Sequence, residues 1–248
     1  MRARLPRQRT AAEEDEGYFV SMSDMLTGLL FVFIILLLFF AFQFRRTTEE
    51  LTGASEARAA LLRALQEDLR QRKVEVEIDV VNGILRLDSV AMFEVNEHRL
   101  TTEGLHAVRS LADALARRLP CYSDTPKVGR YRCRSLARHR VETVLIEGHT
   151  DAQPRGVGLD TNIELSAMRA ITTYRTLIAR QPALNAIKTR NPAGTPQRIL
   201  SVSGYGPTRP LSGFEAPTPR NFQRNRRIDV RLLMATPQAG GSLVDLAR

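Results

Sequence analysis

The sequence predicts an α/β sandwich carried behind a single N-terminal transmembrane helix and a helical linker. Three observations predict it. There is one long uncharged apolar run near the N-terminus, a strongly helix-forming stretch after it, and then strand and helix patterns in alternation.

The apolar run comes first. Met25 to Phe44 is 20 residues without Lys, Arg, Asp, Glu or His. As a helix it is roughly 30 Å long, the thickness of a bilayer core. A soluble helix of this length keeps a polar face. The run is too long for a signal-peptide core, and Arg45 and Arg46 follow it in place of a small-x-small cleavage site. It is therefore expected to stay as an anchor. Neither cysteine, Cys121 or Cys133, sits where a lipid attachment would need it. Arg2, Arg4, Arg7 and Arg9 precede the span. The positive-inside rule then favours a cytoplasmic N-terminus, with the acidic run 13–16 counting little. Residues 1–17 read as a flexible cytoplasmic tail and 18–44 as the span.

Residues 45–73 form the expected linker. Thr47 to Lys73 is rich in Ala, Leu, Glu and Arg and lacks Pro, a helix signature. Leu51, Leu61, Leu62, Leu65 and Leu69 give a thin apolar stripe. The stripe suggests a stalk that pairs with a second copy, and so a dimer.

From Val74 the period changes. Val74, Val76, Ile78 and Val80 alternate with charged residues, Asn82-Gly83 marks a tight turn, and 84–87 resumes the alternation; this is a hairpin. A helix capped by Thr102 runs to about Arg118, with Leu105, Val108, Leu111, Leu115 and Leu119 on one face. Strand 141–147, helix 162–180, strand 199–203 and strand 228–234 follow. The globular domain is placed at 74–235, with a flexible tail at 236–248.

The net charge is +9. Its arginines are scattered, Trp is absent and Tyr numbers only five, which argues against a stacking surface for nucleic acid. Anionic wall polymers are a sufficient source of the bias. His98, His106, His139 and His149 lack metal-ligand spacing. No nucleophilic triad or phosphate loop is apparent, so neither enzyme activity nor a cofactor is expected.

Asp24 opens the apolar run. A carboxylate at that depth is costly and usually has a task. Desolvation raises such a pKa, which would suit proton exchange. Thr27, one turn on, could share a proton or water chain, and Gly28 would admit a neighbouring helix. Position alone leaves a solvated interfacial cap equally open.

Four short blocks then stand in order. They are Ile146-Glu147-Gly148-His149-Thr150-Asp151, the helix start Asn162-Ile163-Glu164-Leu165-Ser166-Ala167-Met168-Arg169-Ala170, Gly204-Tyr205-Gly206 with Pro210, and Asn225-Arg226-Arg227-Ile228. Together they resemble the OmpA/MotB peptidoglycan-binding family, whose domain would be OmpA C-terminal-like. The resemblance implies that Asp151 takes the ammonium, and Arg169 the carboxylate, of the wall peptide's diaminopimelate, a pairing that suits their chemistry. It implies supporting roles for Thr150, for Asn162 at the helix N-cap, and for Arg227 as a brace from the last strand. Two departures stand out: a longer 152–161 loop holding Pro154, Gly156 and Gly158, and Asn221-Phe222-Gln223 before the last block, which leaves Arg224 and Arg226 without a role.

The string Ser23-Asp24-Met25-Leu26-Thr27-Gly28 also resembles MotB-type stator subunits, where the matching carboxylate carries the ion. Within that group Ser21 to Leu30 most resembles the B subunit of the Zorya anti-phage defence system. The resemblance implies a MotA-like multi-span partner of the Zorya A type, H+ as the ion, peptidoglycan as the anchor and cytosolic defence effectors. It places the chain in the bacterial inner membrane with the domain in the periplasm, where Cys121 and Cys133 would form a disulfide. A passive wall anchor, or a stator for another motility or transport system, is the alternative.

Overall fold

The computed structural model describes residues 11–88, 92–94, 96–125, 127–128, 131–132, 137, 139–153, 160–190 and 195–235. The expected tail at 236–248 and most of the long 152–161 loop, including Pro154, Gly156 and Gly158, lie outside them. The chain divides into two compact units, 1–50 and 51–248.

Helix α1 runs through Ala11–Arg70. Residues 11–17, expected as flexible tail, are thus helical. In the first unit the helix is long and apolar enough to cross a membrane, and none of its apolar window is buried. From Leu29 to Phe40 its side chains are exposed leucine, isoleucine, valine and phenylalanine throughout.

In the second unit the leucine stripe behaves differently from expectation. Leu61, Leu62, Leu65 and Leu69 are fully buried. They belong to the same core as the domain's strands and helices. These four close on the chain's own domain, which takes them out of a paired stalk, while Leu51, the first of the stripe, is exposed. Periodicity says that a face is covered, not what covers it. Polar contacts fix the same segment: Asp68 accepts from Arg117 and Arg118, and Arg58 donates to the Val81 carbonyl at 2.8 Å.

The domain's sheet has the order β1-β2-β9-β5-β8. Its strands are β1 Glu77–Asp79, β2 Ile84–Asp88, β5 Val141–His149, β8 Leu200–Gly204 and β9 Arg227–Met234. Only β5 and β8 pair in parallel; the other neighbours are antiparallel. The β1–β2 hairpin turns where the sequence predicts. Gly83 has φ 74, and Asp79 accepts from the Asn82 backbone and side chain. Two small hairpins, β3–β4 (Lys127–Val128, Tyr131–Arg132) and β6–β7 (Lys188–Arg190, Pro196–Arg198), were not visible in the sequence pattern.

Helix α2, Thr102–Arg118, is capped by Thr101, whose hydroxyl accepts from Gly104 N at 2.9 Å. The expected cap Thr102 is the first helical residue. Helix α3 is Asp160–Arg180 and helix α4 is Pro219–Asn225. Asp113 of α2 gathers Arg72, Arg180 and Gln181. Burial alone would raise this carboxyl, but those donors outweigh it and hold it well below the usual carboxylate range. Leu85, Leu87, Val144, Ile146, Ile228, Val230 and Leu232 supply the sheet's share of the core.

Helix α3 lies on the sheet backbone itself. A β-carbon on Gly148 would stand 2.0 Å from the Ser166 carbonyl oxygen, and one on Gly204 would stand 2.5 Å from Ala167 N. Only glycine permits this approach. Gly148→Ala should therefore destabilise the domain by about 1–3 kcal/mol or more, because neither backbone can yield freely. Urea unfolding checks this, and an unchanged midpoint would show that the contact is looser than described.

Candidate functional site

The site forms at the carboxyl end of β5, where the chain leaves the sheet. Thr150 N donates to the Gly206 carbonyl and Tyr205 N to the Gly148 carbonyl, so the β8 exit loop is stitched to the β5 exit. Ser166 adds a third link: its hydroxyl accepts from Gly206 N at 2.9 Å and donates to the Ile163 carbonyl at 2.7 Å. These bonds hold the start of α3 beside Asp151.

Asp151 is completely buried. Its Oδ1 accepts from Gln153 N at 3.2 Å, and its Oδ2 lies 2.5 Å from Arg226 Nη1. Arg169 is also buried. It donates from Nε to the Glu97 carbonyl at 2.9 Å, with its guanidinium 5.1 Å from the Phe93 ring centroid. The segment 93–100 enters here through the Phe93–Leu100 bridge. The structure thus brings Asp151 and Arg169 onto adjoining elements, but as enclosed charges rather than open ones.

Asn162 sits inside α3, in its first turn, rather than at the N-cap, because the helix already begins at Asp160. Its amide donates to the Gln153 carbonyl at 3.0 Å. Among the described residues, the buried Asn162 Oδ1 and Thr150 Oγ1 have no hydrogen-bond partner. A buried acceptor and a buried hydroxyl left in this state are uncommon and point to a ligand or water that completes them.

Arg227 does not brace this pocket. Its Nε donates to Asp229 at 2.9 Å and its Nη2 to the Arg209 carbonyl at 3.1 Å. Arg226, to which the sequence assigned no role, holds the position beside Asp151. It lies one residue before β9 begins, where no alternation pattern constrains it.

The face beyond Arg227 carries a buried charge lattice. Arg231 grips both oxygens of Glu147 at 2.9 and 2.8 Å, and Arg86 reaches Asp229 at 3.0 Å. His149 Nε2 lies 3.6 Å from Asp229, with its ring stacked on Tyr205. Glu147, His149 and Asp229 are close enough to share an ion. Their carboxylates are already neutralised by Arg86, Arg227 and Arg231, so an added cation would meet three guanidinium groups. The cluster reads as structural.

In the apolar N-terminal helix, Thr27 donates its hydroxyl to the Ser23 carbonyl at 2.7 Å. This i−4 bond uses the proton that a relay with Asp24 would need, which leaves Thr27 as an acceptor only. Cys121 lies within a short 3-10 turn, Leu119–Tyr122; Cys133 lies outside the described residues.

No family model matches the chain, and no curated protein matches it. Among solved structures it is similar to a putative MotB-like protein from Desulfovibrio vulgaris, with 21% identity over 75% of this chain and 97% of that one, at a TM-score of 0.49. It is similar to the cell wall anchor of the T6SS from Pseudomonas aeruginosa, with 22% identity over 70% of this chain and 96% of that one, at 0.43. It is also similar to the periplasmic domain of Helicobacter pylori MotB, with 21% identity over 66% of this chain and 81% of that one, at 0.39.

The lattice carries a pH dependence. Burial, reinforced by Arg227, Arg209, Arg86 and Arg231, pushes the His149 pKa down to about 2. The unfolded chain takes up that proton near the ordinary histidine value of 6.5, and the folded chain does not. Below that pH the unfolded state binds more protons, so stability falls as pH falls. Going from about pH 7 to about pH 5 should cost about 2 kcal/mol through His149. His149→Gln should flatten that part of the slope in urea unfolding across the range. Identical slopes for the two proteins would show that His149 is not the group responsible.

Proposed function

We propose that this chain is a MotB-like stator subunit, held in the bacterial inner membrane by one helix and anchored to peptidoglycan by its C-terminal domain. The observation that carries the reading is the pairing of two features in one chain. Asp24 stands at the head of an uncharged apolar run, and Asp151 and Arg169 are enclosed on adjoining elements of a site in which, among the described residues, Asn162 Oδ1 and Thr150 Oγ1 have no partner.

In this reading the two ends do different work. Asp151 receives the ammonium and Arg169 the carboxylate of the diaminopimelate stem peptide, while Asn162 and Thr150 supply neutral hydrogen bonds. The N-terminus is cytoplasmic and the domain periplasmic, which suits a Cys121–Cys133 disulfide; non-reducing mass spectrometry tests that link. Asp24 takes and releases H+ against a MotA-like multi-span partner. Protonation removes its charge and changes which helix contacts are favoured, so ion flow becomes motion. The wall-bound domain supplies the reaction point. A dimeric core would rest on contacts other than the buried leucine stripe.

The finer assignment is to the B subunit of a Zorya-type anti-phage system, with an A-type partner and cytosolic effectors. It is supported by the string Ser21 to Leu30 and by the cysteine-bearing insertion after α2.

One set of variants tests the two ends separately. Asp151→Ala and Arg169→Ala should each lower recovery of the chain on isolated sacculi by tenfold or more, since each removes one half of a two-charge clamp. Asp24→Asn should insert, assemble and bind sacculi normally, yet lose all ion-dependent activity, including phage protection in the Zorya reading. Sacculus binding unaltered by either domain substitution rejects the wall anchor. A fully active Asp24→Asn complex rejects the ion carrier and leaves a passive anchor.

A further inference from the structure

The contact between Asp151 and Arg226 has a consequence for how the site is entered. The Asp151 side chain has 0% exposure, while that of Arg226 has 24%. The guanidinium lies 2.5 Å from the carboxylate oxygen. A ligand cation cannot simply add to this arrangement, because the carboxylate presents no surface to solvent. The Arg226 guanidinium is the described cation whose place a ligand ammonium would take. We infer that Arg226 is an internal stand-in for the ligand's ammonium, capping Asp151 in the empty site and swinging aside when a cationic ligand arrives.

The local structure permits that motion in the side chain alone. The residues on either side are tied down. Asn225 accepts from Leu211 N at 2.8 Å and donates to the Phe214 carbonyl at 2.9 Å. Arg227 is held by Asp229 and by the Arg209 carbonyl. Arg226's own N–H closes α4 on the Phe222 and Gln223 carbonyls. Its backbone is therefore fixed, and its long side chain is the free element. That side chain also lines a groove of about 550 Å³ that contains Glu75 and Glu77. Both carboxylates are exposed; Glu77 is paired with Arg224 at 2.9 Å, and Arg86, Arg224 and Arg227 line the groove as well, so Glu75 is the carboxylate that a displaced guanidinium would approach.

The exchange sets specificity. Removing the partner of a buried carboxylate costs several kcal/mol. A ligand that brings its own cation replaces the lost pairing. A neutral ligand does not, and is rejected even where its shape fits. The class of ligand selected is thus a primary ammonium, with an adjoining carboxylate for Arg169. This deepens the wall-binding reading and rests on it.

The test uses the full chain in detergent and two soluble probes. One is a muropeptide whose stem peptide ends in diaminopimelate with a free ammonium, and the other is the same molecule acetylated on that nitrogen. Wild type should prefer the free amine. Arg226→Gln removes the competing charge and should bind the amine probe at least about tenfold more tightly, a gain of about 1.4 kcal/mol. The acetylated probe should stay weak, and Arg226→Lys should return the affinity toward wild type. Unchanged or weaker amine binding in Arg226→Gln, with the wild-type preference intact, overturns the stand-in role and leaves the wall-binding reading standing. No amine preference in wild type, with Asp151→Ala binding as well as wild type, overturns both. A measurement on wild type alone covers the case of a misfolded variant. The guanidinium ¹⁵N resonances of Arg226 should lose their hydrogen-bonded signature as the amine probe saturates, and their persistence in the bound protein overturns the inference.

Discussion

The whole candidate site depends on one contact: the backbone of α3 resting directly on the backbone of the sheet. Gly148 of β5 and Gly204 of β8 face Ser166 and Ala167 with no room for a side chain. That approach sets the height of α3 above the sheet. It also brings Ser166 within reach of Gly206, and so links the exits of β5 and β8. Asp151 leaves one of those exits, and Asn162 and Arg169 rise from the helix between them. Polar groups as short as Thr150 and Asn162 share a pocket only because the layers are this close.

The sheet's two faces divide the labour. The side under the helices is a leucine, isoleucine and valine core that also takes in Leu61, Leu62, Leu65 and Leu69 from α1. The opposite side buries charges, which is stable only because nearly every carboxylate oxygen there meets an arginine. His149 belongs to that second face even though it stands in the same short string as Asp151. The string Gly148-His149-Thr150-Asp151 therefore mixes a packing glycine, a lattice histidine and two pocket residues, and a linear motif cannot separate them.

Much of this was legible in the sequence where the physics is local. The apolar run, the Asn82-Gly83 turn and the period of α2 each depend on neighbouring residues, and each lies where the pattern places it. Thr101 in place of Thr102 as the cap is a one-residue boundary error of the usual kind. The two small hairpins were not legible, since strands of two or three residues are too short to show alternation. The leucine stripe of α1 was visible but its partner was not, because amphipathicity records a buried face and not the surface that buries it. Asp151 and Arg169 were found through the resemblance. Their enclosure, and the presence of Arg226 beside Asp151, follow from tertiary placement alone.

The pairing of β9 with β5 has a wider meaning. His149 lies opposite Arg227, Glu147 opposite Asp229, and Leu145 opposite Arg231. Sliding β9 by one residue would send arginines into the leucine core and leave Glu147 and Asp229 stranded. The lattice therefore works as a ratchet tooth that admits a single alignment of the final strand. Arg226 is the residue just before that strand, so the same tooth fixes how far its arm can reach. Assembly of the last strand and completion of the pocket are one event, and a chain that has not locked its C-terminal strand has no finished grip to offer.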